Sequence, residues 1–192
     1  MARTFMDRET NPTSRLEIAK RRRNALHVKK AERLLNLNEF EQASSLVCSV
    51  LSETPDNLGA LEVQAKLQWK QQDFRALVRT TARLIVLNPF EPGYHGLRGM
   101  GLRALGLYGE AAKSLERDPN AAKQLLDLEC FQAALIKDTI KHDQVFAAKY
   151  AKDPVKALTE KGFYFKEREA ALAWVSQQVN ASQPDLFRKS RN

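Results

Sequence analysis

Asn38-Glu39-Phe40-Glu41-Gln42-Ala43 recurs as Gln72-Asp73-Phe74-Arg75-Ala76-Leu77 and again as Gly106-Leu107-Tyr108-Gly109-Glu110-Ala111. The aromatic residue returns every 34 positions, and so does the small or aliphatic residue three places later. Pro55 and Pro89 form a third column with the same interval. A period of this length suits a unit of two amphipathic helices of about a dozen residues joined by a tight turn. In that unit the aromatic plugs the joint between the helices, and the small residue lets them approach. Proline closes the second helix because it lacks the N–H needed to continue it.

These residues resemble the tetratricopeptide repeat family over roughly residues 24–118. Ala31, Ala65 and Gly99 stand where that family has a small residue in the first helix, followed three places later by Leu34, Gln68 and Leu102. Gln68 departs from the pattern, as do His27, Leu61 and His95 at the position where tryptophan is usual. The third unit is short, because Pro119 arrives four residues before the interval would place it. The resemblance implies an all-α chain: an α-solenoid of antiparallel helix pairs, preceded by a basic helix and closed by a C-terminal helical cap. Together with the basic charge before the repeats and the polar residues at the end, it divides the chain into a basic, partly helical extension (1–23), the repeats (24–118), a helical segment (119–180) and a disordered tail (181–192).

Outside the repeats, Ser14 followed by Glu17 is a capping-box pattern and predicts a helix from about Arg15 to Leu37. Residues 120–137 and Thr139 to Ala151 carry helical apolar spacing, and Asp153-Pro154 suits a helix start. Gly162-Phe163-Tyr164-Phe165 reads as a short extended segment, and Lys166 to Val179 as a last helix.

The net charge is +8, and its placement says more than its size. Residues 1–33 hold ten Lys or Arg against four acids, a net +6, which leaves the rest of the chain nearly neutral at +2. The longest aliphatic run, Leu84 to Leu87, falls far short of the roughly 20 apolar residues of a spanning helix. The first residues, MARTFMDRETNPTS, have no apolar stretch of signal-peptide length, and their acids fit poorly with an organellar presequence. A cytoplasmic location is therefore expected. Cys48 and Cys130, far apart in predicted helices, read as small buried residues in a reducing compartment.

Reactive chemistry finds little support. His27, His95 and His142 are dozens of residues apart and lack the neighbours of a metal-binding run. The glycines from Gly93 to Gly106 are followed by no Gly-Lys-Ser/Thr and read as close helix packing rather than a phosphate loop. No serine or cysteine stands in a nucleophile elbow. The chain is therefore expected to need no cofactor or metal and to be no enzyme.

What remains is a surface. In the family's register the first helices line a concave groove that takes a partner's peptide or helix. Its lining here would include Val63, Lys66, Trp69 and Lys70, then Leu97, Met100 and Arg103, which favours a ligand with apolar and acidic side chains. The plainer reading of Trp69 is packing between helices. The carboxylate clamp that some family members use is not expected, since its places hold Val28, Glu32, Val63, Gly93 and Leu97. A secretion-type chaperone of similar length is an alternative, made less favourable by the pI of 9.6. A further alternative uses Lys20, Arg21, Arg22, Arg23, Lys29 and Lys30 to dock on nucleic acid or another polyanion, against the plain reading of a solvated helix end.

Overall fold

At each recurring joint one helix must stop and a second must start within three residues, and the backbone does this in the same way each time. The computed structural model describes residues 12–166, 169, 172, 173 and 175–177, with 12–14 by backbone alone. In it α1 (Pro12–Asn36) precedes α2 (Phe40–Glu53), α3 (Leu58–Lys70) precedes α4 (Phe74–Leu87), and α5 (Gly93–Ala104) precedes α6 (Tyr108–Leu115). First helices end at Asn36, Lys70 and Ala104, and second helices open on the three aromatics, so the spacing of 34 holds in three dimensions.

Between each pair one residue takes a positive φ: Asn38 at 61°, Gln72 at 59° and Gly106 at 77°. The following N–H turns back onto the helix just ended, Glu39 to Leu34, Asp73 to Gln68 and Leu107 to Leu102, at 2.9, 2.9 and 3.0 Å. This Schellman arrangement satisfies carbonyls that the helix end would leave orphaned. The next helix is capped where the sequence allows it, as at Asp73, whose carboxylate accepts from Ala76 N–H at 3.0 Å.

Beyond the third pair, a 3-10 turn (Pro119–Ala121) leads into α7 (Ala122–His142), α8 (Gln144–Lys152) and α9 (Pro154–Glu160). No strand occurs among the described residues, and the chain is all-helical. Three expectations shift. The first helix opens at Pro12 rather than after Ser14, because proline fits the first turn, where its missing N–H has no partner to lose. The break expected near Thr139 falls instead at Asp143, whose side chain caps α8 through Phe146 N–H at 2.9 Å. Cys48 and Cys130 are exposed, each lying off the apolar stripe of its helix. Of the expected last helix, 169, 172, 173 and 175–177 are helical. Its other positions after Lys166, like the expected tail 181–192, lie outside the described residues.

The chain divides into two compact units, Met1–Asn88 and Pro89–Asn192. In the first, α1 packs on α2 and α3, α2 on α3, and α3 on α4. Its core joins Ala31, Leu34 and Leu35 of α1 to Ala43 and Val47 of α2 and to Val63 and Leu67 of α3. In the second, α5 packs on α6, α6 on α7, α7 on α8, and α8 on α9. A Cβ on Gly99 would stand 2.6 Å from Leu115 Cγ, so the α5–α6 approach depends on that glycine. A separate core gathers Ala133, Ile136 and Ile140 of α7 with Phe146, Tyr150, Leu158, Phe165 and Val175.

Candidate functional site

The first unit's candidate surface is built on α3, whose start is fixed by Asn57 accepting from Ala60 N–H at 2.9 Å. Helical spacing then sorts the expected groove residues by depth. Val63 turns inward and is 2% exposed, so its side chain belongs to the core and is not offered to a partner. Lys66, Trp69 and Lys70 turn outward. The Trp69 ring stands edge-on to Phe74, centroids 5.6 Å apart, yet stays 37% exposed. The ring thus packs between helices, as the plainer reading expected, and still leaves part of its surface open. Lys66 Nζ lies 2.8 Å from Glu32 Oε1, an ion pair open to solvent and therefore weakly bound. Lys70 has no partner among the described residues.

The second unit has a comparable surface of its own. On α5, Leu97 and Met100 are half-buried and Arg103 is exposed. The Arg103 guanidinium lies 5.9 Å from the centroid of the Phe131 ring. Phe131 stands edge-on to Tyr108, centroids 5.3 Å apart, and is 42% exposed. In the sequence Phe131 simply continues the apolar spacing of residues 120–137, which gives no sign of its exposure. Only the fold separates it: the buried stripe of α7 runs through Leu125, Leu128, Gln132 and Ile136, and Phe131 lies off it.

The basic cluster divides on inspection. Lys20 Nζ donates to the Glu53 carbonyl at 3.2 Å, and Arg23 pairs with the Glu53 carboxylate. Both are thus anchors of α1 on the end of α2, a role reinforced by Asn24 Nδ2 bonding Thr54 Oγ1 at 3.2 Å. Arg21 pairs with Glu17 of its own helix at 3.4 Å. Arg22, Lys29 and Lys30 are exposed and unpaired among the described residues.

The nearest approach to reactive geometry surrounds His95 on α5. This imidazole is buried and its pKa lies below the ordinary 6.5, first through burial, then through Arg117 and Arg98, with Asp118 opposing. The nearby Ser114 hydroxyl donates to the His95 main-chain carbonyl at 2.9 Å. Its proton is therefore directed at the backbone and not at the ring, so serine and histidine are not aligned as nucleophile and base. Among the described residues no three His, Cys, Asp or Glu side chains gather as metal ligands, and no helix is long and apolar enough to cross a membrane. Comparison with known protein families, with curated proteins and with solved structures finds no match.

Proposed function

We propose that this chain is a non-catalytic adaptor of the tetratricopeptide kind, a stack of antiparallel helix pairs that holds a peptide or helix of another protein. The observation that carries the reading is the pair of half-exposed aromatic rings, Trp69 and Phe131, each steadied by a second aromatic. A ring already locked by stacking loses little conformational freedom when a ligand covers it, and such rings are favoured binding hot spots. Lys66 and Lys70, exposed on the same helix as Trp69, and Arg103 over Phe131 add positive charge to these surfaces. The matching ligand carries an apolar side chain flanked by carboxylates. The common interval of helix ends, positive-φ residues and capping bonds supports the repeat reading. The commitment of the Ser114 proton to a carbonyl supports the non-catalytic one.

The test is affinity purification from the native source with the wild-type chain and with Lys66→Glu/Trp69→Ala, followed by calorimetry on a peptide from the protein recovered. A partner that is lost with the variant, and whose peptide binds at least about tenfold more weakly to it, is the expected result, since a hot-spot aromatic is worth about 2 kcal/mol. Equal recovery by a variant of unchanged helicity would remove the α3 surface from the mechanism.

A further inference from the structure

The residues of α1 that meet the first unit's core are Asn24, Ala31, Leu34 and Leu35, all buried. At about 100° per residue, these cluster on one side of the helix. Arg22, Lys29, Lys30 and Arg33 fall within a sector of about 100° on the opposite side. All four are exposed and without an ion-pair partner among the described residues. No acid interrupts this face: Glu17 and Glu32 lie elsewhere on the helix, engaged by Arg21 and Lys66. Lys29 and Arg33 are neighbours of like sign one turn apart, an arrangement that disfavours a free helix. Such a face gains from a polyanion.

We infer that this outward face of α1 binds the phosphate backbone of duplex DNA without regard to base sequence. The inference is independent of the aromatic surfaces on α3 and α5. The chemistry of the face distinguishes three occupants. A membrane surface demands a continuous apolar stripe with basic residues at its edges. Here Arg22 and Arg33 stand at the middle of the face, with Ile18 and Leu26 as its only large apolar members. A protein interface needs a desolvated apolar centre, from which lysine is depleted. Phosphates need neither: they take guanidinium and ammonium groups directly and release counterions as they do so. The shape agrees, because a helix about 10–12 Å across enters a major groove about 12 Å wide, with phosphates on both walls. From Arg22 to Arg33 the four cations extend about 16 Å along the axis, three turns of helix.

The experiment is fluorescence anisotropy of a labelled duplex of arbitrary sequence, about 20 base pairs long, titrated with the full chain over a range of salt. Four phosphate contacts predict that log affinity falls with log salt at a slope of about −3.6, roughly a hundredfold loss between about 50 and 200 mM. Arg22→Gln/Lys29→Gln/Lys30→Gln/Arg33→Gln, which keeps good helix formers at exposed sites, is expected to bring the slope near zero. Lys29→Gln/Lys30→Gln alone is expected to reduce it by about two, which keeps the test decisive if the quadruple variant melts early. Lys20→Gln/Arg23→Gln, which removes cations already held by Glu53, is expected to leave the slope unchanged. A wild-type slope shallower than about −1 overturns the inference, as does an equal loss in the Lys20/Arg23 variant. So does tighter binding, at the same salt, to duplex RNA, to phosphatidylserine vesicles or to a polyglutamate peptide.

Discussion

Gln72 holds a backbone conformation, φ 59°, that L side chains other than Asn and Asp adopt at a cost of about 1–2 kcal/mol. Its counterparts are the asparagine and the glycine that tolerate it best, Asn38 and Gly106. Gln72→Gly is expected to raise stability by up to about 1 kcal/mol, the relief of strain being offset in part by a more flexible unfolded chain. A urea midpoint that fails to rise would mean that the turn stores no such strain. The turn itself could be read from the sequence, through its alignment with the other two, whereas the strain could not, since glutamine is no signal for positive φ. His95 makes a second residue-scale prediction. Its folded pKa lies below 6.5, so protons bind the unfolded chain more readily, and stability is lost as pH falls from about 6.5 through the folded value. Arg117, Arg98 and Asp118 are the charged groups that bear on the ring, and burial is the leading cause. The midpoint of urea unfolding is expected to drop between about pH 7.5 and 5.5, and to drop less in His95→Phe. Identical profiles for the two proteins would exclude His95 as the source.

At the level of elements, α7 and the non-helical residues after α9 illustrate how a polar side chain can do the work of a strand. Gln132 is fully buried on α7, where its position would suit a leucine. Its amide donates to the Tyr164 carbonyl at 2.9 Å and accepts from the Tyr164 N–H at 3.0 Å. Glu129, one turn earlier, accepts from Lys166 N–H at 2.8 Å, and the Tyr164 hydroxyl donates to Glu116, just past the end of α6, at 3.0 Å. A segment outside any helix thus has its main-chain groups satisfied by side chains, which lets Phe165 enter the core. Gln132→Leu keeps the volume but strands two main-chain groups, and is expected to cost about 2–3 kcal/mol and to speed amide exchange at Tyr164 and its neighbours. Exchange at Tyr164 as slow as in the wild type would show that the clamp is not what holds the segment. A break from helix at Gly162 was legible from the glycine, which takes φ 79° in the turn that closes α9. The clamp was not, because a glutamine in an apolar stripe reads as an interruption until its partner 32 residues away is in place.

Across the whole molecule, the interval of 34 residues is the feature the chain announces most openly: the ends of the three first helices, the aromatic starts of the second helices and the positive-φ turns between them keep it, while α6 stops short at Leu115. Charge was legible only in bulk. The excess over residues 1–33 is plain in the sequence, but its contiguous cluster mixes two functions, with Lys20 and Arg23 tied to Glu53 while Arg22 stays open. The same limit applies to the aromatic surfaces: Trp69 was visible as a candidate, Val63 proved to be core, and Phe131 entered only with the fold. Helix starts, stops and turns follow from the linear chain because they depend on caps, prolines and left-handed residues acting within a few positions. Which side chains remain open to a partner had to wait for folding, because exposure is set by helices that meet across tens of residues, and no local signal carries that distance.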